Sequence, residues 1–340
     1  MKSTARGTCG WSNISRLDAG MRQLHLTFRS EIGNAKDIMR TLIITAAYGY
    51  TEEHLRPLLV SARESVPETE IVVFSNKGSP GFARRIEALN PRARVLVPRD
   101  AAIRNRLWFH PRHAIPFIAG AGCALNLFSR HSGKSPWSRL RTALLHVVCA
   151  RFIWAESFLD QQHTKFDYIA LTDARDVVFQ ADPFEDRPQH FICGQEPKKL
   201  RDCHYNFKWA RHLYGKEEWI DRVFDKPILC AGVTLGDNDA IRTYIRALIC
   251  ELGKYQRRVS GWIGPDQAIL NKLLYQDKLM DFDAAQNGDS LLATLHHSAL
   301  DEFEFSEIDG LMTKDGELVK IIHQYDRNQA LLKWVSQRFS

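Results

Sequence analysis

No C-x-x-C pair occurs among the seven cysteines, at positions 9, 123, 149, 193, 203, 230 and 250, which excludes a zinc ribbon. Their odd number also argues against a disulfide framework, so a reducing compartment is expected. Long hydrophobic runs are scarce. The longest, AIPFIAGAGCALNLF at 114–128, is too short to span a bilayer and is broken by Pro116, Gly120, Gly122 and Asn126, so no transmembrane helix is expected. The first stretch, MKSTARGTCGWSNISRLDAGMRQ, lacks the apolar core of a secretory signal. Residues 1–40 are therefore expected to form a partly ordered N-terminal leader. No internal repeat and no clear linker divide the remainder, which reads as a single domain over 41–340. With 44% hydrophobic and 25% charged residues, the chain falls among ordinary globular proteins, and fibrous or wholly disordered classes are excluded.

What is present is an uneven distribution of charge. The formal net charge of +6 conceals thirteen Arg and Lys within 84–151, set against only Glu87 and Asp100. Solvated faces account for such a stretch, as does a site for a polyanion such as a diphosphate, or contact with an anionic membrane surface. Nucleic acid is disfavoured as a partner, because the charges lack the interleaved aromatics of a stacking platform.

Short β-rich runs alternate with amphipathic segments from residue 41. TLIITAAYG (41–49) predicts a buried strand, followed by a helix capped by Thr51 with Leu55, Leu58, Leu59 and Ala62 on one face. EIVVFSN (70–76) and ARVLVP (93–98) predict strands on either side of a helix at 80–90. This βαβαβ opening implies a parallel sheet flanked by helices. Residues 100–136, rich in Gly, Pro, His and Arg, predict an irregular insertion or mobile loop. A helix is expected over 138–160 and then the strand YIALT. Further strands are expected at HFICGQEP (190–197), ILCAGVTLG (228–236), LMDFD (279–283), LLATLHH (291–297) and LVKIIHQYD (318–326), with a polar helical zone at 204–224. Asp237 is placed to cap one helix and Pro265 to start another.

The stretch YIALTDARDVVFQADPF (168–184) ends a buried strand on acidic residues. In sheets of this kind ligands gather beyond the carboxyl ends of the strands. Asp173 and Asp176, three residues apart on a turn, can converge on one Mg2+ or Mn2+, and Arg175 can pair with a carboxylate or turn to a phosphate. The competing reading is a structural turn in which Asp173 caps the chain and Arg175–Asp176 is a surface ion pair.

The run D-A-R-D-V-V-F-Q-A-D-P-F resembles the Asp-X-Asp region of nucleotide-sugar glycosyltransferases with the GT-A fold. CAGVTLG (230–236) is similar to that family's strand lining the donor sugar, PDQAILN (265–271) to its Asp-Gln helix, and IIHQYDR (321–327) to the segment holding a late metal-binding histidine in some retaining members. The sequence departs from a strict Asp-X-Asp, with Ala174 where an acid would stand, so Asp176 is the safer ligand. Asp173 ligates directly, acts through water, or binds the ribose. The resemblance implies an α/β class with a GT-A-like, Rossmann-type, mainly parallel sheet, and transfer from a nucleoside-diphosphate sugar, with UDP the guess, to a saccharide or lipid-linked acceptor with retention. It implies a metal site of Asp173, Asp176 and His323; donor contacts from Tyr48, Arg151, Asp173, Arg175 and Gly232; and Asp266 with Gln267 at the reacting sugar.

Each residue has a plainer reading beside the functional one. His323 fits a satisfied core histidine, Arg151 a solvated helix position, Tyr48 core packing and Asp266 a favourable first-turn acid. Gly232 fits a close backbone approach to a sugar. His296 and His297 point to opposite faces if both lie in a strand, so at most one is a reserve ligand. Two other functions compete. Nucleotidyl transfer onto a sugar phosphate would call for a Gly-rich basic loop after the first strand, which AAYGYTEEH lacks. A non-catalytic basic module would leave the Asp/His set unexplained. A cytoplasmic setting is expected, with peripheral contact at the inner membrane face through 112–141, where Arg139 and Arg141 would meet lipid.

Overall fold

The computed structural model describes residues 39–107, 140, 142–188, 190–216, 218–259, 264–296, 298 and 300–339. Most of the leader, the bulk of the insertion from 108 onward, and Arg139, Arg141 and His297 lie outside the described residues.

Among these residues the centre is a seven-stranded sheet in the order β3-β2-β1-β4-β7-β6-β8. Its strands are β1 (Thr41–Ala46), β2 (Glu70–Phe74), β3 (Ala93–Leu96), β4 (Tyr168–Thr172), β6 (Phe191–Lys199), β7 (Pro227–Asp237) and β8 (Phe282–Ala285). β1 lies parallel to both β2 and β4, while β7 runs antiparallel to β4 and β6. A smaller sheet joins β5 (Val177–Phe179), β12 (Ile321–His323) and β9 (Leu292–Thr294). A hairpin of β10 (Phe303–Ser306) and β11 (Gly310–Thr313) completes the strands.

Helices cover both faces, because the central strands are apolar on both. α1 (Glu52–Ser65) and α2 (Pro80–Leu89) share a core with the smaller sheet. On the opposite core pack α4 (Val147–Leu159), α6 (Asn238–Lys254) and α7 (Pro265–Asn271), together with α5 (His204–Tyr214). α3 is Ala101–Leu107 and α8 is Gln329–Arg338. The expected cap at Asp237 is present, its carboxylate accepting from Asp239 and Ala240. Thr51 stands at the N-cap of α1, and Pro265 opens α7 after Gly264, whose φ of 90° favours glycine.

Three expectations need correction. Residues 101–107 are helical rather than irregular, with Arg104 buried against Asp100 and Trp154. The helix expected over 138–160 is interrupted, since His146 caps a new helix by accepting from Val148. The strand expected at 279–283 begins only at Phe282, after a π-helical turn at Lys272–Gln276 has extended α7.

Candidate metal and ligand site

The turn between β4 and β5 brings the predicted acids together. β4 ends at Thr172 and β5 starts at Val177, so Asp173 and Asp176 occupy the two shoulders of one tight connection. β12 closes over it. His323 is in register with Val177, and the Gln324 amide donates to the Asp176 carbonyl at 2.7 Å. Gln324 itself adopts the left-handed region, φ 62°, a conformation costly for a residue with a side chain and held here by its neighbours. Tyr325 adds a hydroxyl hydrogen bond to the Arg175 carbonyl at 2.7 Å.

One ligand atom each from Asp173, Asp176 and His323 lies within 4.8 Å of the others. His323 is 1% exposed, and its Nε2, 3.7 Å from Asp173 Oδ2, lacks a hydrogen-bond partner. Two carboxylates and an imidazole with an orphaned nitrogen suit a manganese-like ion of intermediate softness. The three groups also perturb one another's protonation, and an ion would have to displace the protons that Asp176 and His323 hold more tightly than usual. Burial and the neighbouring Asp173 and Asp326 raise the Asp176 carboxyl above its usual range, with His323 opposing them. Burial opposes charge on His323, yet the Cys230 thiol and the two aspartates carry it well above an ordinary histidine.

The third wall is β7. Between Cys193 and Gly194 of β6 the register jumps from Thr234 to Cys230, so Ala231, Gly232 and Val233 bulge away from β6 toward β4. At the bulge the Asp173 amide donates to the Gly232 carbonyl at 2.6 Å. A Cβ on Gly232 would collide with the His323 imidazole and lie 2.9 Å from Asp173 Oδ2. Gly232 is therefore required by close approach, and bulges of this kind commonly re-aim groups at binding sites.

Arg151 is not a solvated residue. Its helix, VVCARFIWAESFL, is apolar nearly all round and thus buried, so its one cation needs partners inside. The guanidinium grips Asp173 Oδ1, donates to the Ala231 carbonyl at 2.8 Å and lies 3.4 Å from Asp266 Oδ2. This leaves Oδ2 of Asp173 turned to His323. Burial opposes charge on Asp173, but Arg151 and His323 hold its carboxyl below the ordinary range. Burial pushes Asp266 up to about 6 even against Arg151.

Gln267, next in α7, donates from Nε2 to Asn206 Oδ1 at 3.0 Å and Glu196 Oε1 at 3.1 Å. Glu196 is buried and pushed up to about 7 by that burial, with Gln267 and His323 opposing, and its Oε2 has no partner. Neither Glu196 nor Asn206 was anticipated. The signal for Glu196 was an acid inside the otherwise β-like FICGQEP; nothing in the local sequence marks Asn206.

Two predicted residues stand apart from this group. Tyr48 stacks near Trp154, ring centroids 6.2 Å apart, and its hydroxyl donates to Asn105 at 2.5 Å. Arg175, half-exposed, pairs with Asp326 at 3.0 Å. Burial raises the hydroxyl of Tyr50, which sequence reasoning passed over, above its ordinary value, with Arg175 opposing and Asp173 and Asp176 adding to the rise. Its ring stacks on His54 at 5.3 Å, an i,i+4 pairing at the start of α1. His296 lies beyond the end of β9 and outside the Asp/His group.

Among the described residues no helix is long and apolar enough to cross a membrane. The chain matches no protein-family model and no curated protein, so the reading of this site rests on its own residues.

Proposed function

We propose that the chain is a metal-dependent glycosyltransferase with a GT-A-like fold. It moves a sugar from a nucleoside-diphosphate sugar, UDP-linked in the first instance, to a saccharide or lipid-linked acceptor with retention. The observation that carries this reading is the convergence of Asp173, Asp176 and His323 around the glycine bulge of β7. The two acids follow the carboxyl end of β4, the strand that neighbours β1 at the point where strand order reverses and α/β sheets open a crevice for ligands.

A Mg2+ or Mn2+ ion held by these three residues would supply Lewis-acid stabilisation to the departing diphosphate. Arg151 keeps Asp173 ionised and fixes which oxygen faces the site. Arg175 sits at the rim, able to leave Asp326 for a phosphate oxygen. Gly232 leaves room for the His323 imidazole rather than for a sugar; Asp266 is set to hold the donor sugar's hydroxyls, and Gln267 stands beside the reacting carbon. Tyr48 and Tyr50 follow β1, on the flank open to a nucleobase. The basic stretch favours a binding module less than its charge suggests, because Arg85, Arg92, Arg94, Arg104 and Arg151 are each ion-paired. A cytoplasmic location with peripheral membrane contact belongs to the same proposal.

Asp176→Asn should abolish Mn2+-dependent hydrolysis or transfer of UDP-sugars, a loss of at least about 10²-fold if the group acts on leaving-group charge. Its circular dichroism and melting profile should remain those of a folded protein. Turnover equal to that of the unaltered chain would remove the assignment.

A further inference from the structure

We infer that α5 carries an aromatic platform that seats a pyranose ring of a saccharide acceptor beside Gln267. The inference rests on the glycosyl-transfer reading for the role of Gln267 and adds the acceptor's side of the site.

The sequence of α5, HYNFKWARHLY, buries Asn206, Ala210, Leu213 and Tyr214. Tyr205 and Trp209, four residues apart, then share an adjoining face. Their ring centroids are 6.1 Å apart at 35°, and His204 meets Tyr205 edge-on at 5.9 Å. Tyr205 is 59% exposed, and with His204 and Trp209 against it the exposed ring belongs to a contiguous aromatic surface rather than standing alone. Phe207, on another face, is accounted for by stacking on Phe224 at 4.8 Å.

Two contacts join the platform to the site. The Trp209 indole lies where a Cβ on Gly264 would fall, and Gly264 immediately precedes Pro265, Asp266 and Gln267. Asn206, in the same turn as Tyr205 and Trp209, points inward and accepts from Gln267. Aromatic surface and reacting-site amide are thus fixed by one helical turn.

The chemistry of the flank selects the occupant. A pyranose presents an apolar face of C–H groups rimmed by hydroxyls, which suits the paired Tyr205 and Trp209 rings with their polar edges. A nucleobase would find its rings further along the strand order, since Tyr48 and Tyr50 follow β1 while α7 packs on β7 and α5 on α7. The acids at Asp173 and Asp176 separate the two flanks.

The test uses the full chain, the Tyr205→Ala and Tyr205→Phe variants, and a panel of neutral gluco-, galacto- and N-acetylglucosamine oligosaccharides. Oligosaccharide binding is read by calorimetry and UDP-sugar hydrolysis with Mn2+ by UDP release. Tyr205→Ala should raise the half-saturating oligosaccharide concentration about tenfold, and Tyr205→Phe by no more than about twofold, as expected for a ring contact. Hydrolysis should be unchanged in both variants. Binding that Tyr205→Ala leaves intact, or an unaltered chain that hydrolyses UDP-sugars but binds no oligosaccharide, would overturn the platform. Tyr205-dependent binding without hydrolysis would uphold the platform and overturn the donor reading instead. Absence of both activities would overturn both.

Discussion

Glu196 shows how a single side chain can carry a pH dependence that its neighbours do not reveal. It is buried beside Gln267 and Asn206, and burial raises its carboxyl from an ordinary 4.5 to about 7. Between those values the folded chain binds a proton that the unfolded chain has lost, so the stabilisation is fully present below about 4.5 and disappears as pH rises through 7. A shift of this size corresponds to roughly 3 kcal/mol. Thermal unfolding between pH 5 and pH 8 should therefore show the unaltered chain losing stability on the alkaline side. Glu196→Gln should reduce that loss, leaving contributions of the same sign from Asp266, raised to about 6, and from the raised Asp176 and His323. Parallel profiles for the two proteins would mean that Glu196 is ionised in the fold.

At the scale of the element, β7 joins fold and site. Its lower part pairs with β6 and its upper part with both β6 and β4, and the three residues between bulge out under His323. Gly232→Ala should cost about 1–3 kcal/mol of stability through overpacking, because strand and imidazole cannot both stay in place. It should also weaken any Mn2+-dependent stabilisation, read as the change in melting temperature with added Mn2+. A variant that melts and responds to Mn2+ like the unaltered chain would show that His323 can turn aside freely. α4 illustrates the complementary case: an apolar helix forces its one arginine to find partners, and those partners are Asp173, Asp266 and the β7 backbone.

For the whole molecule the relevant quantity is the free energy that ligand lends the folded state. A nucleoside diphosphate with Mn2+, present at 100 times its dissociation constant, should add about 2.7 kcal/mol to stability. Differential scanning with UDP, GDP and ADP, each with Mn2+ and with chelator, should give a rise for one base that depends on metal. Equal effects of all three with chelator would point to general anion binding by the basic stretch.

Much of this architecture was legible in the chain. Alternating apolar runs and amphipathic helices announced a parallel α/β sheet, and YIALTDARD marked where the acids would emerge, because period and strand ends are local properties. Chain order also carried Asp266, Gln267 and His323 as candidates. What the sequence could not decide was which side chains meet. The burial of Arg151, the partnership of Glu196 and Asn206 with Gln267, and the placement of Tyr50 rather than Tyr48 near the acids all depend on contacts between residues far apart in the chain. The bulge of β7, the turn held by β12 and the packing of α5 on α7 set those contacts. Local pattern encodes which face of an element is apolar; only the closing of several elements on one another fixes where a polar group on it will find its partner.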